Sequence, residues 1–259
     1  MELIDTHCHL TFTELANDVE AILARSREAG VTSWVTVGTD TQQNRKTVEL
    51  ADKFENIYAT VGIHPHYASD VNSETIAALR KMAQNEKVIA IGEAGLDFHY
   101  NFSQYQDQRR LFARQLKIAT EFNLPMIIHC REAFDETMEI LEQFGSSVKR
   151  VVFHCFGGSA EQAKIVLNHG FYISFTGVVT FKNAVAVRNV AKSIPLNKLM
   201  LETDCPYMSP EPMRKQKINE PALLVHTAKC LAELKGMDLA NFAESVTKTS
   251  KTFFSLPEK

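Results

Sequence analysis

The chain begins Met1-Glu2-Leu3-Ile4-Asp5-Thr6-His7-Cys8-His9-Leu10, a short apolar run that ends in His-x-His. If this run is a β-strand, its alternation places His7 and His9 on the same side. Neutral imidazole nitrogens are good ligands for zinc and similar ions, so such a pair supplies half of a metal site. An isolated His-x-His is more often two polar residues at a strand end, and the interpretation as ligands depends on recurrence of the pattern.

The composition of the 259-residue chain, 45% hydrophobic and 23% charged, is typical of a soluble globular protein. A net charge of -3 gives no overall basic footprint for nucleic acid, although a local basic rim remains compatible with it. No apolar run reaches the length of a membrane span, and Glu2 and Asp5 interrupt any signal peptide. We therefore expect a cytoplasmic protein, with no membrane contact and with its five cysteines reduced.

Seven further apolar runs follow, and helical segments separate them. Ser159 with Gln162 is a capping-box signature, Asn219 with Pro221 indicates a helix start, and Gly236 indicates a break. The predicted strands cover residues 31–37, 57–63, 87–93, 125–129, 150–154, 171–175 and 198–204. Eight strand–helix units at this length predict a single α/β domain over residues 1–259, a TIM (β/α)₈ barrel with an extra C-terminal helix.

Residues that ligate metals recur at the carboxyl ends of these predicted strands. In a TIM barrel these ends converge on the face where chemistry is done. Each residue alone has a plainer explanation, such as a strand-end carboxylate or a turn cap, but their joint position directly after apolar runs favours ligands. They are too many for one tetrahedral ion, so we predict two divalent ions with a carboxylate between them. The set consists of His7, His9, His64, Glu93, His129, His154 and Asp204.

Six segments resemble the motif series of the TatD family of metal-dependent deoxyribonucleases, within the amidohydrolase-like barrels. They are Asp5-Thr6-His7-Cys8-His9-Leu10, Gly62-Ile63-His64-Pro65-His66, Gly92-Glu93-Ala94-Gly95-Leu96-Asp97, His129-Cys130-Arg131-Glu132-Ala133, His154-Cys155-Phe156-Gly157-Gly158 and Leu201-Glu202-Thr203-Asp204-Cys205-Pro206-Tyr207. The resemblance implies a two-metal hydrolase that cleaves DNA phosphodiester bonds as a 3′–5′ exonuclease. Magnesium, zinc or manganese would serve as the ions.

The resemblance also implies a division of the ligands. His7 and His9 with Asp204 would hold one ion, Glu93 would bridge, and the remaining pair of histidines would hold the second ion. That pair is His129 and His154.

Three residues receive catalytic roles. Asp204 would serve as ligand and base for a water, Glu93 as bridge, and His64 as a contact to the scissile phosphate. Basic residues would hold the flanking phosphates, although a solvated loop explains them equally well. The predicted substrate contacts are His64, Arg131, Arg214 and Lys217.

The expected partner is DNA, single-stranded or at its 3′ ends, bound to a protein for which a monomer is favoured. Aromatic residues in the loops after the strands either stack on bases or cover helices. They are Phe98, Tyr100, Phe102 and Tyr207. His66 and His99 are interpreted as solvated loop residues.

Two other functions are compatible with the pattern. One is an amidohydrolase-type enzyme that opens a lactone or cyclic amide, because a two-metal centre attacks carbonyl and phosphoryl groups alike. A closed apolar pocket would favour it over an open basic mouth. The other is a barrel that keeps its metals for stability, against which the open ligand set argues, because structural zinc sites are closed.

Overall fold

A computed structural model describes residues 1–100 and 102–257. Eight parallel strands form one sheet in which each strand neighbours the next in the sequence, which is the strand order of a TIM (β/α)₈ barrel. The predicted fold class is therefore confirmed. The strands are Leu3–Cys8 (β1), Val31–Val37 (β2), Ile57–Val61 (β3), Val88–Asp97 (β4), Met126–Arg131 (β5), Val151–Phe153 (β6), Tyr172–Phe175 (β7) and Leu199–Leu201 (β8).

Helices follow every strand, and the last two come after β8, so the extra C-terminal helix is confirmed. In the described ranges the α-helices are Thr13–Ala16 (α1), Val19–Glu28 (α2), Thr41–Lys53 (α3), Ser73–Met82 (α4), Tyr105–Phe122 (α5), Phe134–Phe144 (α6), Ala160–Asn168 (α7), Val185–Ser193 (α8), Leu224–Lys235 (α9) and Leu239–Phe254 (α10). None of the helices in this part of the chain combines the length and apolar character needed to cross a bilayer.

The predicted helix signals are confirmed at Ser159 and at Gly236, which ends α9 with a left-handed φ of 65°, and wrong at Asn219. Ser159 and Gln162 form the capping box at the start of α7, with bonds of 2.9 and 3.2 Å. Asn219 caps no helix, because its amide donates instead to the carbonyls of Thr203 and Tyr207 at 3.0 and 2.6 Å. Glu220 is the residue that precedes the short 3₁₀ turn Pro221–Leu223.

The chain divides into two compact units. The terminal unit comprises Met1–Thr36 and the segment from Cys155 to the end of the chain, and the central unit comprises Val37–His154. The single domain over residues 1–259 stays a prediction.

In the central unit, β3 to β6 pair in parallel, and Gly95 faces His129 in the register of β4 and β5. The strands approach closely at their carboxyl ends, where Gly62 and Gly92 lie back to back. A Cβ on Gly62 would lie 2.6 Å from the carbonyl carbon of Gly92, and one on Gly95 would lie 2.0 Å from the carbonyl oxygen of His129. Only glycine fits this close approach.

In the terminal unit, β1 pairs with β2 and β7 pairs with β8, again in parallel. Beyond the end of β8 the chain bonds to β1. The amide of Asp204 donates to the carbonyl of His7 at 2.9 Å, and the hydroxyl of Thr6 donates to the carbonyl of Leu201 at 2.8 Å. The two strand ends are therefore fixed to each other.

Buried amide side chains satisfy backbone groups just beyond β3. Gln115 of α5 accepts from the N–H of Ile63 at 2.7 Å and donates to its carbonyl at 2.9 Å. Asn44 of α3 binds Gly62 in the same two-point way, at 3.0 and 2.8 Å. Each buried backbone group left unsatisfied would cost about 1–3 kcal/mol, so these amides fix the segment that leads directly into His64.

Replacing Gln115 with leucine should lower the free energy of unfolding by about 2–5 kcal/mol, because the N–H and carbonyl of Ile63 would both stay buried without partners. Urea denaturation followed by circular dichroism measures the change. Gln106, exposed on the same helix, is the matched control, and Gln106→Leu should change the stability by less than about 0.5 kcal/mol. Equal stability of the two variants would contradict the role of the buried amide.

Candidate metal-binding sites

The terminal unit brings together three of the predicted ligands, His7, His9 and Asp204. Nε2 of His7 lies 3.3 Å from Nε2 of His9. Oδ1 of Asp204 lies 3.6 Å from the first of these nitrogens and 3.3 Å from the second. All three residues are buried, so the set is a compact triangle of two nitrogens and one oxygen. We call it the terminal set.

A buried carboxylate explains how these ligands are positioned. Asp5 of β1 accepts from the N–H of Thr203 at 3.0 Å and from its hydroxyl at 2.5 Å. Burial raises the pKa of Asp5 to about 7, against the opposing effect of the bonds from Thr203. Asp204 has a left-handed φ of 53°, which short polar residues tolerate, and this turns it out of the line of β8.

The central unit brings together the other ligands around one carboxylate oxygen. Oε1 of Glu93 lies 2.8 Å from Nδ1 of His129 and 2.8 Å from Nε2 of His154. These two nitrogens are 3.5 Å apart. Burial would raise the pKa of Glu93, but electrostatic interaction with the imidazoles of His154 and His64 and hydrogen bonds from His129 and His154 hold that pKa well below its usual range. We call Glu93, His129, His154 and His64 the central set.

His64 also belongs to the central set, with its Nε2 at 3.5 Å from Oε1 of Glu93. Its Nδ1 accepts a hydrogen bond from the backbone N–H of His66 at 3.2 Å. Burial lowers the pKa of His64 to about 4, so the ring is neutral at pH 7 and carries its single proton on Nε2. This nitrogen can therefore donate a hydrogen bond, and His64 also lies close enough to Glu93 and His129 to share an ion with them.

Asp97 is a residue of the site that sequence reasoning missed. Its Oδ2 lies 3.0 Å from Nε2 of His129 and 2.9 Å from Nε2 of His66. Burial would raise the pKa of Asp97, but these bonds lower it well below its usual range. A carboxylate on the far nitrogen of a ligating histidine fixes the ring so that the other nitrogen, here Nδ1, faces the ion. The interpretation of His66 as a solvated residue was wrong.

Buried amides hold this carboxylate as well. Gln108 of α5 accepts from the N–H of Asp97 at 2.8 Å and donates to its carbonyl at 3.0 Å. The signal that could have identified Asp97 is its place at the end of the same motif as Glu93. The predicted strand 87–93 ends before Asp97, whereas β4 extends four residues beyond that predicted end. Asp97 was therefore not counted among the residues at the end of a strand.

Both sets fit a divalent ion by their donor types and spacing. Ligand atoms about 2.1 Å from an ion are about 3.4 Å apart in tetrahedral geometry and about 3.0 Å apart in octahedral geometry. The terminal set, at 3.3–3.6 Å, matches the tetrahedral spacing. In the central set the nitrogens of His129 and His154, 3.5 Å apart, match the tetrahedral spacing, while Oε1 of Glu93 lies at the hydrogen-bonding distance of 2.8 Å from each. The bridging role of Glu93 stays a prediction.

The predicted substrate contacts lie in different surroundings. The guanidinium of Arg131 lies 4.7 Å from the ring centre of Tyr100, in the central unit. In the terminal unit the guanidinium of Arg214 lies 3.4 Å from the ring centre of Phe181, and Lys217 is exposed.

Replacing Asp97 with asparagine keeps the shape and removes the charge that orients His129. We expect the affinity of the central set for Zn²⁺ or Mn²⁺ to fall by about 10- to 100-fold. Calorimetric titration of the metal-free protein measures it. Asp70→Asn, at an exposed acidic residue, is the control and should bind as the wild type does. Unchanged affinity in Asp97→Asn would rule out the orienting role.

The sequence matches the profile of the TatD-related DNases over residues 4–255. A Bacillus subtilis protein named uncharacterized metal-dependent hydrolase YabD is 39% identical, over 98% of this chain and 99% of its own. The Escherichia coli K12 protein named 3′-5′ ssDNA/RNA exonuclease TatD is 34% identical, over 98% and 99% respectively. The crystal structure of YJJV, a TatD homologue from Escherichia coli, superposes with a TM-score of 0.93 at 30% identity, covering 98% of each chain. The chain thus belongs to the family of TatD-related DNases and is a metal-dependent hydrolase of the TatD type.

Proposed function

We propose that this protein is a nuclease that removes nucleotides from the 3′ end of single-stranded DNA. The observation that carries the proposal is the presence of two largely buried sets of histidine and carboxylate ligands, His7, His9 and Asp204 in one, and Glu93, His129 and His154 in the other. The full-length similarity to proteins named as 3′-5′ exonucleases for single-stranded DNA and RNA supports this substrate class.

Two divalent ions would be held, one by the terminal set and one by the central set. Such ions neutralise charge on phosphoryl oxygens and make water a nucleophile near neutral pH. Imidazole nitrogens suit zinc, whereas carboxylate oxygens suit manganese and magnesium. The histidine-rich donor sets therefore favour zinc over magnesium.

The side chains of the chain itself supply the remaining steps. Asp204, whose Oδ1 lies 3.3 Å from Nε2 of His9, would accept the proton of the attacking water on its carboxylate. Glu93 stays ionised beside its histidines and would contribute negative charge to an ion held by the central set. The Nε2–H of His64 donates to a non-bridging oxygen of the scissile phosphate, a role that its tautomer supports.

The basic residues Arg131, Arg214 and Lys217 would bind flanking phosphates. The planar guanidinium of an arginine can form two hydrogen bonds with a phosphate, and the ammonium of a lysine binds it from a flexible side chain. We place the protein in the cytoplasm as a monomer with one catalytic domain. The five free cysteines, two of them fully buried, support a reducing compartment.

A panel of ions and substrates tests the proposal. Metal-free protein is reloaded with Mg²⁺, Mn²⁺ or Zn²⁺ and assayed on single-stranded DNA, duplex DNA, RNA and a simple lactone. Release of mononucleotides from the 3′ end of single-stranded DNA supports the proposal. Hydrolysis of the lactone without cleavage of any nucleic acid contradicts it.

Glu93→Gln and His154→Ala should each lower the rate of divalent-dependent cleavage of single-stranded DNA by at least about 100-fold, because each removes a ligand of the central set. Glu86→Gln, at an exposed glutamate, is the control and should keep the wild-type rate. Circular dichroism confirms that the variants are folded. A folded Glu93→Gln variant with full turnover would refute the assignment.

A further inference from the structure

Two large aromatic side chains lie exposed beyond the end of β4. Phe102 exposes 67% of its surface and Tyr100 exposes 40%, while most aromatic residues of the described chain are covered. Exposed apolar groups that lie together, rather than singly, mark binding surfaces on proteins. The geometry of the group around them therefore bears on what the protein binds.

The exposed rings are held in a fixed arrangement. Tyr100 and Phe102 are stacked, with ring centres 5.4 Å apart and planes inclined by 19°. The guanidinium of Arg131 lies 4.7 Å from the centre of the Tyr100 ring. His66 meets Phe102 edge to face at 4.8 Å. We call these four side chains the aromatic platform.

The aromatic platform is anchored to the central set through Asp97. The N–H of Tyr100 donates to Oδ1 of Asp97 at 2.9 Å, and Nε2 of His66 lies 2.9 Å from Oδ2. The same Oδ2 lies 3.0 Å from Nε2 of His129. A single carboxylate thus positions both a metal ligand and the aromatic platform, so the two are fixed relative to each other.

We propose that the aromatic platform binds an unstacked nucleobase of the substrate strand, stacked on Phe102, while Arg131 contacts a neighbouring phosphate. The proposal rests on the nuclease function above and deepens it. Aromatic rings bind any base through its π-face, whereas bases in a duplex are paired and stacked on each other. The aromatic platform therefore selects single strands without selecting a sequence.

Packing between helix and loop accounts for a different aromatic pair in the same segment. Phe98 and Tyr105 stack at 4.3 Å, and the hydroxyl of Tyr105 donates to the carbonyl of Phe98 at 3.2 Å. Tyr105 is 46% exposed, similar to Tyr100, but its ring and its hydroxyl both bind Phe98. Tyr105 is thus a matched control for an exposed aromatic residue outside the aromatic platform.

Binding is measured with a short oligodeoxyadenylate whose phosphorothioate linkages resist cleavage. Phe102→Leu should weaken binding by roughly 5- to 100-fold, the range expected for loss of one base–aromatic stack. Phe102→Trp should retain the affinity, since tryptophan also stacks. Tyr105→Leu should bind within about twofold of the wild type. In cleavage assays on unmodified DNA, Phe102→Leu should raise KM and leave kcat nearly unchanged.

The Phe102→Trp variant adds a direct readout of stacking. The native tryptophan, Trp34, is fully buried, so a new exposed tryptophan dominates any quenching by added DNA. The oligodeoxyadenylate should quench it, and an oligomer of the same length with abasic sugars should not. Equal quenching by both oligomers, or wild-type affinity in Phe102→Leu, would overturn the proposal that the aromatic platform binds a base.

Failure of the nuclease function gives a different result. In that case the wild-type protein binds and cleaves no single-stranded DNA with any ion, and every Phe102 variant behaves alike. If the wild-type protein cleaves DNA and Phe102→Leu has unchanged KM and affinity, the proposed base binding by the aromatic platform is wrong and the nuclease function stands.

Discussion

Just before His64 and at Asp97 the chain reaches the carboxyl ends of β3 and β4, and this position leaves backbone N–H and carbonyl groups without sheet partners. Buried amides replace those partners. Gln115 and Asn44 bind both backbone groups of Ile63 and Gly62, and Gln108 binds both of Asp97. An amide side chain has both a donor and an acceptor, so one side chain can bind the backbone N–H and the carbonyl of the same residue. The segment that leads into His64 and the backbone of Asp97 are therefore rigid although they lie at the ends of strands.

The fold and most ligands could be predicted because their signals are local. An apolar run that ends in His7-Cys8-His9, or in Glu93, specifies both a strand and the residue at its end. Strand periodicity did not indicate the roles of Asp97 and Gln115, because those roles are contacts with residues far along the chain or on another element. Hydrogen bonds between a helix side chain and a strand backbone have no periodic signal.

Neighbouring groups give the same side chain different chemical roles. Asp97 accepts from the Nε2–H of His129 and leaves Nδ1 to face Glu93, where an ion would sit. At His64 the backbone N–H of His66 occupies Nδ1, so Nε2 keeps its proton. Hydrogen bonding, together with the burial of His64, thus favours metal binding by Nδ1 of one imidazole and donation by Nε2 of the other.

The absence of a side chain at Gly62 and Gly95 limits how relatives of this protein can diverge. A single methyl group at either position would collide with the backbone of the adjacent strand. The backbone at the carboxyl ends of β3 and β4 is therefore closed to substitution at these glycines. New substrate preferences have to arise in the loops that follow the strands. Relatives should therefore differ most in these loops and least at the glycines where the strands approach each other.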